Sequence, residues 1–201
     1  MLADDGAVER VVFGDRGIID SLPAGAIHIS SSTISVALSE RLEAAHAKAG
    51  QLFVAAPVIG RPDAAAAGQL FVVAAGAPDA VKAAASLFDA IGQRTFVVSE
   101  APKAGNLVKL SCNFLIASVI ESVGEAMALI GKTGIDRKQY LDILTSTLFD
   151  ASVYKTYGGL IAEGKFEPAG FAAPLGQKDR SRRQKISACP CRSRASCVTG
   201  S

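Results

Sequence analysis

Short apolar runs alternate with helical patterns through the first half of the chain. AIHIS at 26–30, QLFVA at 51–55, LFVVAA at 70–75 and RTFVV at 94–98 have the length and the β-branched or aromatic content of strands. Between them, 34–48 and 78–91 space their apolar residues for one face of a helix. Alternation of this kind predicts an α/β layer on a largely parallel sheet. After 103 the pattern changes: Leu107, Leu110, Phe114, Ala117, Ile120 and Val123 recur three or four apart, predicting one long helix to about 131. Helical segments at 136–148 and 151–163 follow without strands, as at the start of an all-helical part.

With 201 residues, 49% of them hydrophobic, a sizeable core is expected. The opening MLADDGAVER is acidic, unlike the basic start of a signal peptide, and no uncharged apolar run reaches the roughly 18 residues that span a bilayer. A soluble cytoplasmic protein with no membrane partner is the expectation. The net charge of +2 hides a division, because residues 180–201 hold six basic groups and no acid, which leaves the rest of the chain at −4. Three of the four cysteines, Cys189, Cys191 and Cys197, lie in the same tail without a nearby histidine, so no metal site is expected. The tail has no apolar periodicity and reads as disordered or foreign sequence.

Three places hold candidate chemistry. Ser30-Ser31-Ser32-Thr33 stands between a strand and a helix, the junction where open α/β sheets bind ligands and where a helix N-terminus favours anions; the same residues serve equally as helix caps. Ala56-Pro57-Val58-Ile59-Gly60-Arg61-Pro62 lets backbone approach a ligand at Gly60 and offers the Arg61 guanidinium to a carboxylate, or is a surface loop punctuated by prolines. Lys109 and Asn113 lie four apart on one face of the long helix. A partly desolvated lysine there suits proton transfer, although a lysine reaching past apolar neighbours to water has the same pattern.

In chain order these segments resemble the β-hydroxyacid dehydrogenases, the family of 3-hydroxyisobutyrate dehydrogenase and tartronate semialdehyde reductase, related to 6-phosphogluconate dehydrogenase. MLADDGAV resembles M-L-x-D-x-x-A-V, and SSTIS resembles S-T-x-S-P with Val36 in place of proline. APVIGRP is similar to A-P-V-S-G-G, with Ile59 and Arg61 departing from it. KAGNLVKLSCN matches G-x-G-x-x-x-K-x-x-N-N at Gly105, Lys109 and Asn113, with Lys103 and Cys112 in place of a glycine and an asparagine. FAAPLGQKD resembles F-x-x-x-L-x-x-K-D and ends at Lys178-Asp179.

The resemblance implies an incomplete Rossmann-like parallel sheet over 1–100, part of an all-helical dehydrogenase domain over 101–179, and a non-family tail over 180–201. It implies an oxidoreductase using NAD or NADP and a small hydroxyacid or semialdehyde. Lys109 would be the acid/base; Ser32 and Gly60 would bind the substrate carboxylate; Asn113 would orient the reacting oxygen; Thr33 and Lys178 would touch the cofactor near its nicotinamide. A homo-oligomer is expected as well. The family's G-x-G-x-x-G loop, which receives the pyrophosphate, is not in this sequence, so weak or no dinucleotide binding is expected of the chain alone. The competing expectation is a non-catalytic interaction module whose basic tail binds polyanions, though no aromatic platform or motif for nucleic acid accompanies the charges.

Overall fold

The structure is a computed structural model, and it describes residues 1–167. Helices α1 (Asp5–Phe13) and α2 (Ile18–Ser21) precede strand β1 (Ile27–Ser30), helix α3 (Val36–Lys48) and strands β2 (Leu52–Ala55) and β3 (Val58–Ile59). Then come α4 (Pro62–Ala66), β4 (Leu70–Ala75), α5 (Pro78–Ala83), α6 (Ala85–Ile91) and β5 (Gly92–Ser99). The long helix α7 (Pro102–Gly131) leads to α8 (Arg137–Thr145) and α9 (Ser152–Glu163). Helix starts follow local chemistry: Asp4 caps α1 by accepting from Ala7 N, Ser35 caps α3 by accepting from Leu38 N, and Pro102 opens α7.

β1 and β2 are parallel, with Ile27 beside Leu52 and Ser30 beside Ala55. From Ala55 the chain continues through Pro57 into β3, and both segments face β4 in one antiparallel register: Ala55 opposite Ala75, Val58 opposite Val72, Ile59 opposite Phe71. Pro57 has no N–H to give, but its carbonyl accepts from Val73 N at 2.9 Å, so the ladder survives the proline. β5 then runs parallel to β4. The sheet is therefore mixed, where the sequence pattern predicts a largely parallel one. The physical reason is the short connection between β3 and β4: it carries only the five-residue α4, whereas a parallel crossover needs roughly a dozen residues or more.

Strand alternation divides the core. Val54, Ala56, Val58, Leu70, Val72 and Ala74 pack against Ala80, Val81, Ala84 and Phe88 of α5 and α6. On the opposite face Phe53 and Ala55 pack under Val8, Val12, Leu38 and Leu42 of α1 and α3. This second face also carries α7, which packs on β2, β4 and β5 as well as on α3, α8 and α9. The 30-residue α7 has a mean hydropathy of 1.7 in its most apolar stretch and is long and apolar enough to cross a membrane by length and composition. That modifies the expectation from apolar runs, which α7 escapes because Glu121 and Glu125 interrupt it.

Candidate functional site

The loop after β1 is tied to the start of the chain. Ser32 is buried, and its Oγ accepts from Leu2 N at 2.7 Å; Ser35 N donates to Asp5 Oδ1 at 3.0 Å. The two segments read separately in sequence as MLADDGAV and SSTIS are thus one structural unit at the carboxyl end of β1. Ser32 is already used as an acceptor, which leaves its O–H as the group able to donate to a ligand. Thr33 beside it is half-buried, and Ile34 is fully buried in the core under α1.

Gly60 follows β3 with φ +151°, and a Cβ there would come within 2.6 Å of Leu70 Cδ2. Only glycine fits both the conformation and the space. Ile59 is half-buried and opposite Phe71. Arg61 stands 3.7 Å from Asp63 across an exposed pair, so its guanidinium keeps most of its hydrogen-bonding capacity.

Gly105 is the point where α7 meets the sheet. A Cβ there would lie 3.3 Å from each of Ala55 O, Ala75 Cβ and Val73 O. Two side-chain contacts fix the direction of α7 on α3. Lys103 Nζ reaches Glu40 Oε1 at 2.7 Å, with Glu43 also acting on its charge, while Asn106 Nδ2 donates to Ser39 Oγ at 3.2 Å. Ascending α7 therefore descends α3 toward its N-terminus, so the two helices are antiparallel and α7 follows the direction of β2 and β3. At about 1.5 Å per residue, Lys109 and Asn113 lie about 6 and 12 Å beyond Gly105. At about 3.3 Å per residue, Pro57 and Ile59 lie nearly the same distances beyond Ala55. Half-buried Lys109 and Asn113 thus lie one and two turns further along α7 than Gly105, the point where the helix rests on the sheet.

Among the predicted site residues, Ser32 and Thr33 lie in the loop after β1, Gly60 directly after β3, and Lys109 and Asn113 on α7. Lys178 and the basic tail lie outside the described residues. Sequence reasoning passed over Asn106 and Ser39, which are 1% and 0% exposed and bonded to each other. A signal was present, since Asn106 stands one helical turn before Lys109 in an otherwise apolar stretch. The donor set of these residues, a hydroxyl at Ser32, a second at Thr33, an ammonium at Lys109 and an amide at Asn113, suits a carboxylate and a polarised carbonyl oxygen, and the neutral carboxamide of a nicotinamide.

A second polar cluster, also missed, sits at the amino end of the sheet. His28 Nδ1 and His46 Nε2 are 2.8 Å apart, and His46 Nδ1 is 2.7 Å from Gln51 Oε1. Gln51 Nε2 donates to Ile19 O at 3.0 Å and Leu22 O at 2.7 Å, so Gln51 Oε1 must accept. His46 then donates from Nδ1 and accepts at Nε2 from His28 Nδ1–H, and both rings are neutral. Burial, with the neighbouring His46, lowers the His28 pKa to about 4. Burial also lowers that of His46, partly opposed by its bond to Gln51.

The α/β sheet is followed by a long lysine-bearing helix and two further helices, and similarity to known proteins gives the class. Residues 1–99 match the NAD-binding domain of 6-phosphogluconate dehydrogenase, and residues 104–186 match the NAD-binding domain of NADP-dependent 3-hydroxyisobutyrate dehydrogenase. The chain belongs to the 3-hydroxyisobutyrate dehydrogenase-like, β-hydroxyacid dehydrogenase family of NAD(P)-dependent oxidoreductases. It is 50% identical over 179 residues to the uncharacterised oxidoreductase YfjR of Bacillus subtilis, covering 89% of this chain and 62% of that protein. It is 30% identical over 179 residues to glyoxylate/succinic semialdehyde reductase 1 of Arabidopsis thaliana, covering 89% and 61%. The crystal structure of 3-hydroxyisobutyrate dehydrogenase from Salmonella typhimurium superposes with a TM-score of 0.81 at 26% identity, over 92% of this chain and 64% of that one. The chain thus spans about three-fifths of the length of these relatives.

Proposed function

We propose that this chain serves an NAD(P)-dependent reduction or oxidation between a small semialdehyde or keto acid and the corresponding hydroxyacid, with Lys109 as acid/base. What supports this is that Gly105 seats α7 on Ala55, Val73 and Ala75 and that Asn106, one turn before Lys109, is tied to Ser39, one turn after the Ser35 cap of α3. In the reducing direction the Lys109 ammonium gives a proton to the substrate's carbonyl oxygen as its carbon gains a hydride, leaving a neutral amine and an alcohol. When bound, the reduced nicotinamide supplies that hydride. Asn113 orients the reacting oxygen, and Ser32 with the Gly60 backbone holds the substrate carboxylate. Thr33 and, by the family resemblance alone, Lys178 would contact the nicotinamide end of the cofactor. Ile59, in place of a hydroxyl, narrows the choice toward substrates with an apolar side group. The protein is proposed to act in the cytoplasm.

The test is a panel of glyoxylate, succinic semialdehyde, L-threonate and L-serine with each dinucleotide, the compounds named for its relatives. Turnover that falls by about a hundredfold or more in Lys109→Ala supports the assignment. Turnover indifferent to Lys109 overturns it, whereas micromolar binding of either dinucleotide overturns the expectation that the chain alone binds it weakly.

Self-association is proposed through α7, which exposes Leu107, Leu115 and Leu129 at 47%, 60% and 65%. Light scattering that gives a monomer at micromolar concentration refutes that part.

A further inference from the structure

We propose that the buried hydrogen bond between Asn106 and Ser39 is a positioning contact that sets where α7 presents Lys109 to the Ser32–Thr33 loop. The proposal rests on the reading of Lys109 as acid/base. Asn106 is 1% exposed and Ser39 0%; Asn106 Nδ2 donates to Ser39 Oγ at 3.2 Å, and Asn106 Oδ1 has no protein donor among the described residues. A buried amide satisfied on one side only costs stability that a leucine of similar volume would not. What the amide supplies instead is direction. Apolar ridges let one helix slide or roll on another at little cost, whereas a side-chain hydrogen bond holds only within a narrow distance and angle.

The position of the bond suits that role. Asn106 lies one turn before Lys109 on the side of α7 that faces α3, with Leu110, fully buried, next along that side. Ser39 lies one turn after Ser35, which caps α3 and whose amide bonds to Asp5. The contact therefore joins the turn before the lysine to the turn after the loop. Lys103 and Glu40 link the same two helices, and both are about half-exposed, so water competes for that pair.

The experiment uses the 201-residue protein with Asn106→Leu, Ser39→Ala and the double variant. Asn106→Leu is expected to keep or raise the thermal midpoint while kcat falls about tenfold or more and KM for the dinucleotide is unchanged. Ser39→Ala, which removes a single hydroxyl and carries the test if the larger change fails to fold, should reproduce the loss. The double variant should be no worse than Asn106→Leu, because both remove one interaction. Independently of turnover, the pH profile for acylation of Lys109 by an amine-reactive ester, read by peptide mass spectrometry, should shift in each single variant. Additive losses, or an unchanged Lys109 labelling profile in both single variants, overturn the proposal. If Lys109→Ala keeps turnover but the labelling profile still shifts, the acid/base reading fails and the positioning contact stands.

Discussion

At the amino end of the sheet, His28, His46 and Gln51 spend their hydrogen-bonding capacity on one another and on the carbonyls of Ile19 and Leu22. Near the ends of β2 and β4, Gly105 seats α7 on the sheet, Asn106 donates to Ser39, and Asn106 Oδ1 is buried without a protein donor among the described residues. Both regions contain buried polar groups carried by α3, His46 in the first and Ser39 in the second. The first is closed on itself; the second is only partly satisfied, and partial satisfaction of a buried group is costly.

The contrast can be broken from either end. Gln51→Leu should have the largest effect, since it strands His46 Nδ1–H and two backbone carbonyls in the interior; a loss of about 3–5 kcal/mol in denaturant unfolding is expected, with the proposed site's chemistry intact in what remains folded. Lys109→Ala should do the reverse, leaving the unfolding midpoint near wild type while turnover falls by about two orders of magnitude. Gly60→Ala forces a side chain into a conformation that residues other than glycine rarely adopt and against Leu70, so about 1–3 kcal/mol of stability should go.

Acid should act on the amino end. Because the His28 pKa is lowered from 6.5 to about 4 in the folded protein, the unfolded chain takes up the proton first. Stability should be flat above pH 6.5 and decline as pH falls from 6.5 toward about 4, and the decline should flatten in His28→Phe. Thermal melts across that range read it. The smallest effect belongs to Arg41→Ala, which removes an exposed pair with Glu9 at 2.6 Å and the stacking of its guanidinium on Phe13; under about 1.5 kcal/mol is expected.

Much of the fold was legible because apolar periodicity reports burial. LFVVAA at 70–75 is β4 to the residue, and the long helix begins one residue before its expected start at 103. The reversal at β3 was hidden because Pro57 interrupts the run, and a strand that uses a proline carbonyl in its ladder looks like a loop in sequence. Spacing and order single out Gly60, Gly105 and Lys109 in the sequence, and the structure gives Gly60 and Gly105 the close contacts that only a residue without a side chain readily meets. The bonds from Ser32 to Leu2, from Ser39 to Asn106, and among His28, His46 and Gln51 were not, because each joins residues that no local pattern relates.

The unbroken course from Leu52 to Ile59 gives β4 neighbours on both sides, β2 with β3 on one and β5 on the other. Val73 lies at its centre, 2% exposed, with its amide bonded to the Pro57 carbonyl. Opening of the β5 flank leaves that bond in place, so the amide exchanges its hydrogen with deuterated solvent only when the β2–β3 flank opens. The slow exchange expected there is set at a proline, the residue type least expected to anchor a strand.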